Sequence, residues 1–189
     1  MHSFSDPKKI RECIRRYESN LKKRDARDGS GSRYLLGPLY LLLDDTEGAI
    51  AHYKWFAKKF HDDGGEPFHR LCWALALYRA GKPDEAAKWL RNVHSRNVYL
   101  IPAVLGIPHD QPSGLWRGSN WEDEDYIAHA PPEFLTMWRP AEKTWLHSVW
   151  DRPDFKDFVQ THISLVRQLT DEPRGERRST LVKKLYALP

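Results

Sequence analysis

Two stretches of this chain repeat each other: YLLGPLYLLLDDTEGAIAHYKWF, residues 34–56, and LCWALALYRAGKPDEAAKWLRNV, residues 71–93. Gly37 falls on Ala74 and Ala49 on Ala86, both at an offset of 37 residues. Each copy reads as an apolar helix, a short turn and a second, amphipathic helix, because apolar residues recur at helical spacing on either side of a break. Asp45-Thr46-Glu47 in one copy and Pro83-Asp84-Glu85 in the other open the second helix. Acids favour the positive end of a helix, and proline is tolerated at its first position. Two tandem hairpins of this kind predict an all-α fold, and they need further helices, since each unit buries its apolar face only on its neighbours.

The repeat resembles the tetratricopeptide family. That family's first helix carries a large residue, a small one and an aromatic three further on; its second carries a small residue and a bulky one four later. Leu36-Gly37-x-x-Tyr40 and Ala49-x-x-x-Tyr53 follow this pattern, as do Trp73-Ala74-x-x-Leu77 and Ala86-x-x-x-Leu90, with Gly81 in the turn. Small residues let paired helices approach where they cross, and bulky ones fill the groove between them. The chain departs from the family in three ways. Arg33 and Arg70 replace the opening Trp, His61 and Val98 replace the closing Pro, and the period exceeds the usual length of about 34 residues. Pro38 inside the first helix should kink it or delay its start. The resemblance covers residues 33–97 and implies antiparallel hairpins stacked into an α-α superhelix.

The remaining chain is organised around that pair, and the whole, 1–189, reads as a single all-α domain. Asp6-Pro7 starts a basic helix over 7–24, with Ile10, Cys13, Ile14, Tyr17 and Leu21 on one face. Residues 25–33, DARDGSGSR, read as a connector. Residues 98–130 are a degenerate repeat and a long loop. SRNVYLIPAVLG begins a third first helix, with Leu105-Gly106 standing where Leu36-Gly37 stand, and Pro108 and Pro112 then end it. Helices over 131–189, starting at Pro131-Pro132, Pro140, Pro153 and about 175, close the array.

The loop contains GLWRGSNWEDEDY, residues 114–126. Trp116 and Trp121 are expected to fasten this crossing segment to apolar repeat surface, and the acids after Trp121 to start a helical turn or to face basic ends such as Arg15-Arg16 or Arg177-Arg178. No stretch approaches the roughly 20 apolar residues of a membrane span. The N-terminal residues lack the apolar core of a signal peptide. The only cysteines, Cys13 and Cys72, lie in helical patterns without CxxC spacing, which points to a reduced, cytoplasmic protein.

No catalytic, cofactor-binding or metal-binding residue is predicted. There is no HExxH, no paired Cys or His at metal spacing, no phosphate-cradling loop and no GxSxG elbow. His61, Asp62, Asp63 and His69 are the densest group of possible ligands, and His69 with Glu66 the best acid–base pair. The expected function is a non-enzymatic protein-protein interaction or scaffold module. In tetratricopeptide arrays the first helices line a concave groove, and the resemblance puts Tyr34, Leu41, Phe68, Leu71, Tyr78 and Arg79 there, facing a protein or peptide partner. The Lys and Asn with which chaperone-binding members hold a terminal carboxylate are replaced at the corresponding places by Tyr34, Pro38, Phe68, Leu71 and Leu75, so no such clamp is expected. The discriminating observation is whether residues 107–170 cover that groove. The alternative is a nucleic-acid or ribosome-associated protein binding through basic ends, Lys8 to Arg24 and Arg174 to Lys184, despite a net charge of only +4.

Overall fold

A computed structural model describes residues 4–23, 28–29, 31–108 and 115–188; the connector residues 25–27 and 30, Arg24 and the loop residues 109–114 lie outside it. Among the described residues every regular element is helical: α1 Pro7–Lys23, α2 Ser32–Leu42, α3 Thr46–Lys59, α4 Pro67–Arg79, α5 Pro83–Arg96, α6 Leu100–Leu105, α7 Asp125–His129, α8 Glu133–Thr136, α9 Pro140–Trp150, α10 Pro153–Asp171 and α11 Glu176–Tyr186, with a 3-10 turn at Asn120–Glu122. No described helix is long and apolar enough to cross a membrane.

The helix starts follow local chemistry. The Asp6 carboxylate accepts the Lys8 N–H at 2.9 Å ahead of Pro7, and Asp45 accepts the Gly48 N–H at 2.8 Å to cap α3. Glu66 does the same for α4, accepting the His69 N–H at 2.8 Å. The hairpins α2–α3 and α4–α5 keep the 37-residue offset down to single bonds. Asp45 N–H donates to the Tyr40 carbonyl as Lys82 N–H does to Leu77, and Asp44 N–H donates to Leu41 as Gly81 N–H does to Tyr78. Asp44 and Gly81 are both left-handed, at φ 61° and 76°. This is the closure in which a left-handed residue satisfies the last free carbonyls of a helix.

Where α2 crosses α3, Gly37 lies under the ring of Tyr53: a Cβ at Gly37 would come within 2.3 Å of it. Pro38 neither delays nor ends α2, which runs through it and buries it. A proline lacks the N–H that would bond the carbonyl four residues back, here that of Tyr34. The ring of His69 supplies the missing donor, its Nδ1–H reaching the Tyr34 carbonyl at 3.2 Å, and His52 Nε2–H donates to the neighbouring Arg33 carbonyl at 2.8 Å. Both rings are deeply buried, which holds His52 at about 4 and His69 well below its usual range, so both are neutral donors.

One apolar core runs from Leu41 to Phe155. Its centre is α4, in which every residue from Pro67 to Leu77 is buried. Tyr53, Trp73 and Trp89 stack through it at 4.9 and 4.3 Å, with the Arg70 guanidinium over Trp89. A second cluster joins Ile10, Ile14 and Leu21 of α1 to Leu36 and Leu39 of α2. The third hairpin fails differently from the sequence-based expectation. Gly106 is not a crossing residue like Gly37; at φ 66° it is the left-handed cap that ends α6 after six residues.

Candidate functional site

The six residues expected to line a partner groove face the protein's own helices. Leu41, Phe68 and Leu71 are wholly buried. The Phe68 ring packs on Tyr126 and Phe134, and its N–H donates to the Tyr126 hydroxyl at 3.2 Å. Tyr78 stacks on Trp145 of α9 at 4.3 Å. Tyr34, half-buried, meets the Trp121 ring edge-on at 6.0 Å, and its hydroxyl donates to Asp63 at 2.7 Å. Burial, reinforced by that bond to a carboxylate, pushes the phenol up to about 12.

Arg79 makes the firmest closure. Its guanidinium grips Glu142 of α9 through Nε at 2.7 Å and Nη2 at 3.1 Å, and also donates to the carbonyls of Leu41 and Met137. Its side chain is 6% exposed and that of Glu142 4%. A buried, bidentate pair of this kind is satisfied on both sides. Residues 121–150 therefore occupy the face on which a partner was expected.

The candidates for chemistry separate. His61 and Asp62 pair with each other on the surface, Asp63 serves Tyr34 and Arg33, and His69 sits in the core against Phe56 at 4.4 Å. Glu66 meets His69 through its backbone N–H, not its ring; burial pushes that carboxyl up to about 7. Among the described residues no three His, Cys, Asp or Glu converge as a metal site would require. Cys72 is fully buried, which pushes its thiol up and away from nucleophilic use.

The crossing segment 115–126 is tied at both ends. The Trp116 N–H donates to Thr170 at 2.9 Å, and the Arg178 guanidinium lies over its ring, so Trp116 fastens the segment to the α10–α11 hairpin and not to the repeats. Asn97 at the end of α5 holds the other end, donating through Nδ2 to the carbonyls of Trp121 and Asp123. Trp121 itself stays 39% exposed. The acids that follow are used locally: Asp123 pairs with Arg117, and Glu122 accepts the Gly118 N–H at 2.8 Å.

What sequence reasoning missed is a cleft of about 420 Å³ between α1, α2 and α3. Leu21, Leu36, Tyr40, Ala51 and Trp55 form its apolar surface, and Lys22 and Lys59 border it. Trp55 is 36% exposed. Glu18 is engaged by the Tyr40 hydroxyl at 2.5 Å, and Lys23, Lys54 and Lys58 stand exposed on the two flanking helices. The signal was present in the sequence: Ala51 and Trp55 lie one turn apart, off the Ala49, Tyr53, Phe56 face that α3 commits to the core.

Comparison with known proteins returned no match among family models, curated proteins or solved structures.

Proposed function

We propose that the chain is a non-enzymatic interaction module of tetratricopeptide type, whose two hairpins are closed by C-terminal helices and whose working surface is the α1–α3 cleft. The observation that carries this reading is the pairing of an exposed Trp55 and an apolar floor with a lysine-rich rim. A solvent-facing aromatic pocket is where interface energy concentrates, and lysines around it select acidic neighbours. The occupant is a peptide segment with one bulky apolar anchor flanked by Asp or Glu. The free thiols of Cys13 and Cys72 suit a reducing compartment such as the cytoplasm.

Selection from a random peptide-display library against the full chain tests this. Enriched sequences should carry the apolar anchor with acidic flanks and should bind less tightly as salt rises. Ala51→Arg, at an exposed position in the cleft, should weaken them about tenfold or more. Absence of enrichment, or peptides indifferent to Ala51→Arg, refutes the reading.

A second reading rests on α1, which exposes Lys8, Lys9, Arg11, Arg15, Arg16, Lys22 and Lys23 along one solvent face. Such a stripe would meet nucleic-acid phosphates, and its mark is an affinity that falls steeply with salt. Titration with RNA and DNA decides it; no binding near physiological ionic strength removes it.

A further inference from the structure

The crossing segment also forms one wall of a cavity of about 440 Å³, a volume within the range of small-molecule sites. The other walls come from the end of α5, from α10 and from the last residues of the chain, and none of its residues is shared with the α1–α3 cleft. Two kinds of surface meet in it. Leu115, Val166, Leu185 and Leu188 make one part apolar, with Tyr99 and Trp116 as aromatic members. Asn92, Ser95 and His162 make another part polar and uncharged.

Those three side chains share an unusual property. Asn92 Oδ1, Ser95 Oγ and His162 Nδ1 are buried with no hydrogen-bond partner. Buried polar atoms in folded proteins are nearly always paired. Three unpaired ones lie on side chains that border a single cavity, and a ligand there reaches them once the Asn92 amide, the Ser95 hydroxyl or the His162 ring turns toward it. His162 is 4% exposed, and burial holds its imidazole at about 4, so at neutral pH the ring is an uncharged donor or acceptor.

Three of the charged groups at the rim, Arg117, Asp123 and Glu122, are engaged, and Arg96 also borders the cavity. Arg117 pairs with Asp123, while Glu122 is held by the Gly118 N–H and lies in the field of Arg96. The wall of Asn92, Ser95 and neutral His162 itself carries no charge, so an ionic group placed against it would be unmatched, which is costly when buried. The amide oxygen of Asn92 only accepts, so the ligand must donate to it; Ser95 and the neutral imidazole do either. A flat body suits the aromatic and aliphatic walls.

We infer that this cavity binds a small neutral heteroaromatic molecule with hydrogen-bond donors and acceptors along one edge, as nucleobases have. Its polar edge meets Asn92, Ser95 and His162, and its ring lies among Leu115, Trp116 and Val166.

Ligand-observed NMR on the full chain tests this, with adenine, cytosine and nicotinamide as probes, adenosine monophosphate as the charged control and toluene as the control without a polar edge. At least one neutral base should bind, and both controls should bind at least about tenfold more weakly. Asn92→Leu should weaken the base about tenfold, the loss of roughly one hydrogen bond. Ser95→Ala, a milder change, should weaken it in the same direction, and Leu115→Trp should block it by filling the space, with circular dichroism confirming the fold of each variant. Failure of all three probes to bind overturns the inference, as does a control that binds as well as the base, or binding unchanged in both Asn92→Leu and Ser95→Ala.

Discussion

The hairpins α2–α3 and α4–α5 share one turn and little else. Their closing hydrogen bonds coincide at the 37-residue offset, yet the left-handed residue is Asp44 in one and Gly81 in the other. The crossing is Gly37 under Tyr53 in the first and Ala74 with Leu90 at the matching places in the second, all four being buried. Leu42, half-buried, stands where the second hairpin has Arg79 with its ion pair. Position in the array accounts for the difference. The helix α4 is covered by the first hairpin and by residues 121–150, so it has no solvent face. The helix α3 is an edge, and its second face is left for the cleft. A repeat thus conserves backbone geometry, while its side chains answer to whatever covers them.

Acid should separate the hairpins most. An unfolded imidazole titrates near 6.5, whereas burial holds His52 and His162 at about 4 in the fold. The unfolded state therefore binds more protons between these values. The contribution is complete above about pH 6.5 and is lost as pH falls toward 4, roughly 3 kcal/mol for each ring. His69 and His94 act in the same direction, and both belong to the second hairpin. Glu66, raised to about 7, acts in the opposite sense: its contribution is complete below about 4.5 and is lost as pH rises through 7. Four imidazoles outweigh one carboxyl, so denaturant midpoints should drop steadily from pH 6.5 to 4, with amide exchange rising first around α4 and α5. A flat profile would contradict this.

Arg79→Ala comes next. It strands the buried Glu142 carboxylate and should cost about 3–5 kcal/mol, whereas Leu42→Ala at the matching place should cost about 1–2 kcal/mol. Replacing both partners, Arg79→Met with Glu142→Leu, should recover most of the loss; equal losses in the single and double variants would show that the pair contributes little. At the crossings, Gly37→Ala drives a methyl into the Tyr53 ring and should cost about 1–3 kcal/mol, against about 1 kcal/mol for Ala74→Gly through helix propensity alone. The smallest contrast lies in the turns. Gly81→Ala meets no atom within 4 Å but must hold φ 76°, at a cost of about 1 kcal/mol. Asp44→Gly relieves the same conformation and gives up exposed contacts to Arg79 and Arg139, so its stability by urea titration should change by less than about 1 kcal/mol.

Which parts were legible in the sequence follows from which parts are periodic. The hairpins could be read because Gly37, Ala49, Ala74 and Ala86 mark their crossings and because Asp45 and Pro83 mark helix starts. The closure could not, because it depends on residues 115–150, where short helices and single anchors such as Tyr126, Trp145 and Glu142 follow no period. The tie between Trp116 and Arg178 joins residues far apart in sequence with no pattern to announce it. Gly106 shows the converse error: the same Leu-Gly pair means a helix crossing at 36–37 and a helix end at 105–106, and only the backbone angle distinguishes them. The repeat does not announce the cleft beside Trp55, because Ala51 and Trp55 fall outside the Ala49 and Tyr53 pattern that marks the helix crossing.

Pro38 and His69 carry a consequence for descent. The proline takes a donor away from the Tyr34 carbonyl and the imidazole returns one, so neither residue can change alone without leaving a polar group stranded. Pro38→Leu would make the ring of His69 redundant, and His69→Leu would make Pro38 a defect. The two are one heritable unit written at two sites 31 positions apart. In a lineage of such chains they should be gained and lost together, while the turn residues between them drift.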